Sequence, residues 1–173
     1  AAAPTRIDGT EVVFVNEATL EGIDFLSIID TADGSSTEVP LDLELPSAPE
    51  SFATSVTATD DAIYVTRSGY GQEGPTGEVV AKRFDRDGTP GPTAEVPGDI
   101  LAAGTALVAE EWTDANDDDV RTPDEVARFR VDPDTLATDP LDPDDPLATC
   151  PRGDLRFTAH PAGVWTFERD SRD

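Results

Sequence analysis

The amino-acid sequence predicts an all-β fold built from repeated antiparallel four-stranded units. Glycine and proline contribute 13 and 15 of the 173 residues, which is typical of short strands joined by many turns. The hydrophobic fraction is low, at 37%. Short apolar runs nevertheless recur along the whole chain, which argues against disorder driven by charge. The length suits one domain, residues 1–173, with a sizeable core.

An internal repeat organises these strands. Four segments share a small polar turn followed by a run of β-forming residues: IDGTEVVFV (7–15), TDDAIYVT (59–66), AAGTALVAE (102–110) and HPAGVWTF (160–167). Three are followed, after a variable loop, by a strand that ends in Asp and a turn: FLSIIDTADG (25–34), VAKRFDRDG (80–88) and ARFRVDPDT (127–135). With their flanking strands they define units of about 7–41, 52–97, 99–141 and 154–173. The fourth unit has room for only two strands, so we expect the chain to belong to a longer chain or an assembly.

The order of strands and Asp turns in these units resembles the blades of β-propellers, which are four-stranded sheets repeated around an axis. The resemblance covers residues 7–168 and implies a propeller-like arrangement. The same hairpins are also compatible with a β-sandwich.

The acidity of the chain is of a particular kind. The formal net charge is -25, Asp supplies 24 of the 37 carboxylates, and Lys82 is the only lysine. This composition resembles that of proteins from extreme halophiles, in particular haloarchaea, and implies adaptation to high salt. Such a charge disfavours binding to nucleic acid and to anionic membranes, which usually requires a basic patch. There is no run of about 20 apolar residues, so no membrane span is predicted.

The densest acidic stretch has the ligand order of a calcium loop. An EF-hand-type loop offers oxygens from its positions 1, 3, 5, 7, 9 and 12, the seventh through its backbone carbonyl and the twelfth as a bidentate Glu. These positions are held by Asp114, Asn116, Asp118, Val120, Thr122 and Glu125. The order resembles single calcium loops of secreted and dockerin-like proteins, and implies a structural Ca²⁺ ion. Position six, normally Gly, is Asp119, so a merely solvated acidic loop is the alternative.

The flank of this loop has two interpretations. TPDE (122–125) has the signature of a helix start, with a Thr cap, a first-position Pro and a Glu three residues after the cap. The repeat instead makes VARFRV (126–131) a strand, and we favour the strand because it carries the repeat's own Asp turn. The acidic loop then joins the second and third strands of its unit.

The sequence offers little for catalysis, and we predict no enzyme, no catalytic residue and no cofactor beyond calcium. The single histidine, His160, lies in a turn-like TAHPAG segment and no serine follows a nucleophile pattern. Cys150 is the only cysteine, so no disulfide forms within the chain. Glu110 and Glu111 are adjacent in a strand and therefore point to opposite faces.

Two aromatic residues are candidates for contact with a partner. Tyr70 and Trp112 fall at the ends of predicted hairpin loops, where an exposed ring contacts a protein or a sugar, or else packs locally. We therefore expect a noncatalytic structural and binding module of a cell surface or virion, stabilised by Ca²⁺, with a protein or glycan partner. The alternative is a fragment of a carbohydrate-active or solute-binding propeller enzyme.

Overall fold

The computed structural model describes residues 5–7, 11–17, 24–47, 49, 51–72, 74–103, 106–113, 122 and 125–149. These residues form β1 (Thr5–Ile7), β2 (Glu11–Glu17), β3 (Asp24–Asp30), β4 (Ser36–Pro40), β5 (Ser51–Ala58), β6 (Ala62–Gly71), β7 (Gly74–Asp85), β8 (Pro90–Glu95), β9 (Asp99–Ala103), β10 (Ala106–Trp112), β11 (Val126–Val131) and β12 (Thr138–Pro140), followed by a short helix, α1 (Pro146–Thr149).

The strands form three antiparallel sheets, each made of four strands that follow one another in the chain. Sheet 1 contains β1–β4, sheet 2 contains β5–β8 and sheet 3 contains β9–β12. The prediction of an all-β fold with antiparallel sheets is confirmed. The fourth predicted unit, residues 154–173, lies outside the described residues.

The three sheets stack face to face, and the middle sheet is covered on both faces. Because side chains alternate along a strand, Ile63 and Val65 of β6 join a buried cluster with sheet 1, in which Leu26 and Val15 are also fully buried. Tyr64, one position along the same strand, joins a second cluster with sheet 3. This three-layer arrangement differs from a sandwich of two sheets.

The two ends of the stack differ in their connections. Residues 18–23, 72–73 and 113–125 join the second and third strands of each sheet, and we call this side the hairpin end. The opposite side, the turn end, carries the Asp turns. Corresponding ends of adjacent sheets lie together, because Arg67 near the end of β6 pairs with Asp24 at the start of β3.

The three Asp turns share one backbone pattern, as the repeat predicts. The first Asp of each turn donates its N–H to a carbonyl five or four residues later and accepts the N–H of a residue with positive φ. The residues at positive φ are Gly34, Gly88 and, in the third turn, Leu136. Leu136 adopts this unfavourable conformation at φ 62° while its side chain is buried in the cluster between sheets 2 and 3.

The turns also stabilise ionised carboxylates. The backbone N–H and the hydroxyl of Ser35 lower the pKa of Asp33, and those of Thr89 lower the pKa of Asp87 in the same way. In the third turn the hydroxyl of Thr135, followed by backbone N–H groups, lowers the pKa of Asp132. These three carboxylates therefore form part of the turn structure.

We expect Gly88→Ala to destabilise the fold more than Gly34→Ala. Both glycines have positive φ, 87° and 77°, so alanine costs about 1–2 kcal/mol of conformational strain at either position. A Cβ at Gly34 would meet nothing within 4 Å, whereas at Gly88 it would lie 2.6 Å from Cγ2 of Val39 in sheet 1. Overpacking adds about 1–3 kcal/mol at Gly88. Urea unfolding of both variants measures the difference, and equal losses would contradict the packing of this turn against sheet 1.

Two segments with the composition of loops are more ordered than that composition indicates. Residues 68–77 have the glycines and polar residues of a flexible hairpin loop but belong mostly to β6 and β7, which pair as far as Gly71 and Gly74. The acid-rich connector after β4 places Leu41 and Leu43 in the core.

That connector is attached to sheet 2 by the only lysine of the chain. Lys82 is buried, and its Nζ donates hydrogen bonds to the carbonyl oxygens of Leu41, at 2.9 Å, and Asp42, at 3.1 Å.

Within the described part of the chain, no helix is long and apolar enough to cross a membrane.

Candidate functional site

The acidic loop leaves and re-enters sheet 3 through a closed base. Trp112 and Val126 form the last pair of β10 and β11. Beyond them, the N–H of Thr113 donates to the carbonyl of Glu125 at 3.0 Å, and the N–H of Glu125 donates to the carbonyl of Thr122 at 3.2 Å. β11 begins directly after Glu125. The strand interpretation of residues 126–131 is therefore confirmed, and no helix forms over these residues.

Two of the six predicted calcium ligands lie together at this base. The backbone N–H and the hydroxyl of Thr122 both donate to Oε2 of Glu125, at 3.2 and 2.9 Å. The bond from the Thr122 N–H to the Glu125 carboxylate is one half of the pattern that the TPDE signature predicts, whereas the N–H of Glu125 donates to the Thr122 backbone carbonyl instead of its hydroxyl. Positions nine and twelve of the loop thus converge, and a calcium ion would have these oxygens available once the Thr122 hydroxyl turned its proton away.

The remaining predicted ligands, Asp114, Asn116, Asp118 and Val120, lie outside the described residues. In the described ranges there is no group of three or more His, Cys, Asp or Glu residues that could hold a metal ion. The calcium assignment therefore stays a prediction.

Tyr70 and Trp112 are not brought together. Tyr70 lies within β6, opposite Ser51, on the face of sheet 2 that is turned towards sheet 3. Trp112 ends β10 on the face of sheet 3 that is turned away from sheet 2, as its parity with Val108 shows. Both rings are half-buried. The indole N–H of Trp112 is buried and has no hydrogen-bond partner.

The adjacent carboxylates of β10 point to opposite faces, as their alternation predicts. Glu111 is exposed, whereas the Glu110 side chain is 1% exposed and pairs with Arg128, with 2.9 Å between Oε1 and Nη2. A carboxylate committed to a buried guanidinium is poorly suited to acid–base chemistry. His160 and Cys150 lie outside the described residues.

A surface groove of about 310 Å³ lies at the turn end of sheet 3 and contains Arg130, Asp132 and Asp139. Oδ1 of Asp132 already accepts three hydrogen bonds from Asp134 and Thr135. Nη2 of Arg130 pairs with Asp145 at 2.9 Å. Asp132 and Arg130 are therefore both engaged in local structure.

One exposed aromatic residue at the hairpin end is not among the predicted contact residues. Phe52, in the edge strand β5, is the only large hydrophobic side chain that stands exposed in the described part of the chain. Its ring lies 4.2 Å from the guanidinium carbon of Arg67. The available signal was weak: a phenylalanine next to serine and alanine in a short apolar run looks like a core residue.

In comparisons with protein-family models, with curated proteins and with solved structures, nothing matches this chain.

Proposed function

We propose that this chain is a noncatalytic structural and binding module of a cell surface or virion, adapted to high salt and stabilised by Ca²⁺. The observation that carries the proposal is the contrast between the two ends of the sheet stack. The turn end repeats one tight turn three times, whereas the hairpin end carries connections of very different length at 18–23, 72–73 and 113–125. In repeat folds, variable connections on one side of a regular scaffold form the usual binding face.

A propeller-like arrangement of the sheets accords with the contacts between their first strands. The hydroxyl of Thr57 in β5 donates to the carbonyl of Ile100 in β9 at 2.9 Å. Contact between the first strands of adjacent sheets is what blades around an axis require.

Calcium would act on the longest of the hairpin connections. The six acidic residues between positions 114 and 125 repel one another, and a divalent ion coordinated by loop oxygens would neutralise them. Because Thr113 and Glu125 are already joined at the base of the loop, the ion would fix the loop relative to sheet 3.

Calcium titration tests this proposal. We expect isothermal calorimetry of the full chain at molar salt to show one Ca²⁺ site. Glu125→Gln, which removes the bidentate carboxylate, should lower the affinity at least about tenfold, a change of about 1.4 kcal/mol. Trp165→Phe leaves Trp112 as the only tryptophan, so its fluorescence reports the ion locally.

Glu111→Gln is the matched control, because it removes an exposed carboxylate close by without touching the predicted ligands. Undiminished Ca²⁺ binding in Glu125→Gln, or an equal loss of Ca²⁺ affinity in both variants, would contradict the calcium assignment.

A further inference from the structure

The face of sheet 3 that is turned away from sheet 2, which we call its outer face, carries buried apolar side chains. Leu101 and Val108 pair across β9 and β10 and are 7% and 0% exposed. Ile100 and Leu107, which alternate with them, belong to the cluster shared with sheet 2, so Leu101 and Val108 point the other way. Neither belongs to the two clusters that join the described sheets. The outer face therefore has the burial of an interface between layers.

The repeat shows what kind of partner such a face has. Val108 lies opposite Arg130, two residues before the Asp turn, and Tyr64 and Val13 hold the same position in sheets 2 and 1. Tyr64 belongs to the cluster with sheet 3, and Val13 belongs to the cluster with sheet 2. In both sheets this position packs against the sheet that follows in the chain. By the same rule, the outer face of sheet 3 packs against the chain that follows β12.

The chain that follows is already held against this face. Nη1 of Arg128 donates to the carbonyls of Leu147 and Ala148 at 2.8 and 3.2 Å, and Arg128 points to the outer face because its neighbour Phe129 packs towards sheet 2. The next five residues, 150–154, reach at most about 20 Å. Because layers stack about 10 Å apart, a segment covering the far face of sheet 1 would lie about 40 Å away. Residue 155 can therefore reach the outer face of sheet 3 but not the far face of sheet 1.

Residues 155–167 match the first hairpin of the preceding sheets. In sheets 2 and 3, an alanine of the first strand pairs with an apolar residue five positions later, Ala58 with Ile63 and Ala102 with Leu107. The same spacing separates Ala159 and Val164. Phe157 then corresponds to Ile100, because each lies two residues before its alanine.

The contact that Ile100 makes with sheet 2 indicates the contact of Phe157 with sheet 3. The hydroxyl of Thr57 donates to the carbonyl of Ile100 at 2.9 Å. Thr57 corresponds to Leu101, since each lies one residue before its alanine. The position of Phe157 in the repeat is therefore next to Leu101.

We propose that residues 155–167 form the first two strands of a fourth sheet and pack on the outer face of sheet 3. Phe157, Ala159 and Val164 supply the apolar side of this contact, and Leu101 and Val108 receive it. The proposal goes beyond the binding module and is independent of Ca²⁺: it names a segment of the same chain, and not a second molecule, as the partner of the outer face.

Photo-crosslinking of the full chain at molar salt tests this packing. Phe157 is replaced by p-benzoylphenylalanine, which upon irradiation bonds to C–H groups in direct contact with it. Trypsin then separates fragment 7–67, which carries β2–β5, from fragment 87–121, which carries β8–β10. We expect a crosslink within one molecule to fragment 87–121, at Leu101 or Val108. A crosslink to fragment 7–67, a crosslinked dimer or the absence of a crosslink overturns the proposal.

The same photoreactive residue at position 52 is the control. Phe52 lies against Arg67, which pairs with Asp24 of sheet 1, so it should give no crosslink to fragment 87–121. Far-UV dichroism verifies that both variants are folded.

A double-mutant cycle gives a second measurement that does not need the photoreactive group. Leu101→Ala and Phe157→Ala remove the two sides of one contact, so their joint effect on the folding equilibrium constant should fall short of the product of the single effects by at least about threefold. Urea unfolding of the full chain measures these constants. The matched cycle combines Phe157→Ala with Phe25→Ala, since Phe25 alternates with the buried Leu26 and points to the far face of sheet 1.

The matched cycle should be additive. Additive effects of Leu101→Ala and Phe157→Ala, or equal coupling in the two cycles, would contradict the packing of residues 155–167 on sheet 3. Neither experiment involves Ca²⁺, so failure of this proposal and failure of the calcium-stabilised module are distinguished.

Discussion

Replacing Glu110 with alanine is expected to lower the free energy of unfolding by about 3–5 kcal/mol, because it removes the carboxylate partner of a buried guanidinium. The Arg128 side chain is 9% exposed, and its Nε and Nη2 lie 3.0 and 2.9 Å from Oε1 of Glu110. Arg128 also donates to the carbonyls of Leu147 and Ala148, so it ties α1 to sheet 3. Chemical denaturation at molar salt measures the loss.

Glu111→Ala provides the matched control for this prediction. Glu111 is the next residue of the same strand but is exposed, so its removal should change the stability by no more than about 0.5 kcal/mol. A double variant, Glu110→Leu with Arg128→Met, should recover much of the lost stability, since two apolar side chains replace a paired charge without leaving either partner alone. If Glu110→Ala lowered the free energy of unfolding no more than Glu111→Ala does, the ion pair would not be buried in solution.

The parts of the fold that could be predicted are those encoded locally. Period-two alternation marks the strands, and the Asp turns follow from short Asp-containing sequences such as DTADG and DRDG, in which Gly supplies the positive φ. The bond from the Thr122 N–H to the Glu125 carboxylate also follows from the sequence, because its capping signature spans four residues.

The contacts between sheets could not be predicted in this way. Arg67 and Asp24 are 43 residues apart, and nothing in either neighbourhood indicates that they pair. The strand registers show that Glu110 and Arg128 correspond to Thr66 and Ala81 of sheet 2, so equivalent positions carry an ion pair in one unit and small residues in another. The strand around Tyr70 could not be predicted either, because the neighbouring glycines have low strand propensity and the strand is stabilised by its partner β7.

The largest predicted effect concerns the whole molecule: the chain should be folded at about 3 M NaCl and lose its strand structure in dilute buffer. The described basic side chains all bond within the protein, and several of these bonds go to backbone carbonyls rather than to carboxylates. Those residues are Arg67, Lys82, Arg83, Arg86, Arg128 and Arg130. The charges of Arg67, Lys82 and Arg128 lie in the interior, since their side chains are 8–9% exposed, and do not offset the exposed carboxylates at the surface.

Salt acts on those carboxylates by screening. The Debye length falls from about 10 Å at 0.1 M to about 3 Å at 1 M, so repulsion between neighbouring surface carboxylates is strongly reduced at molar salt, whereas the buried pairs of Arg67 and Arg128 are little affected. Unfolding in dilute buffer requires the unscreened repulsion to reach about 5 kcal/mol, the lower end of ordinary domain stability. Far-UV dichroism during a NaCl titration measures the transition.

A charge-reduced variant separates screening from other effects of salt. Glu38→Gln, Glu44→Gln, Glu95→Gln and Glu111→Gln replace four exposed carboxylates outside the predicted calcium ligands. If repulsion controls folding, this combination lowers the salt concentration of the transition, and NaCl and KCl act equally at the same ionic strength. If salt instead acts by strengthening hydrophobic burial, sulfate exceeds chloride at matched ionic strength and the four substitutions leave the midpoint in place. If folding depended neither on the salt concentration nor on the four substitutions, the prediction of adaptation to high salt would be wrong.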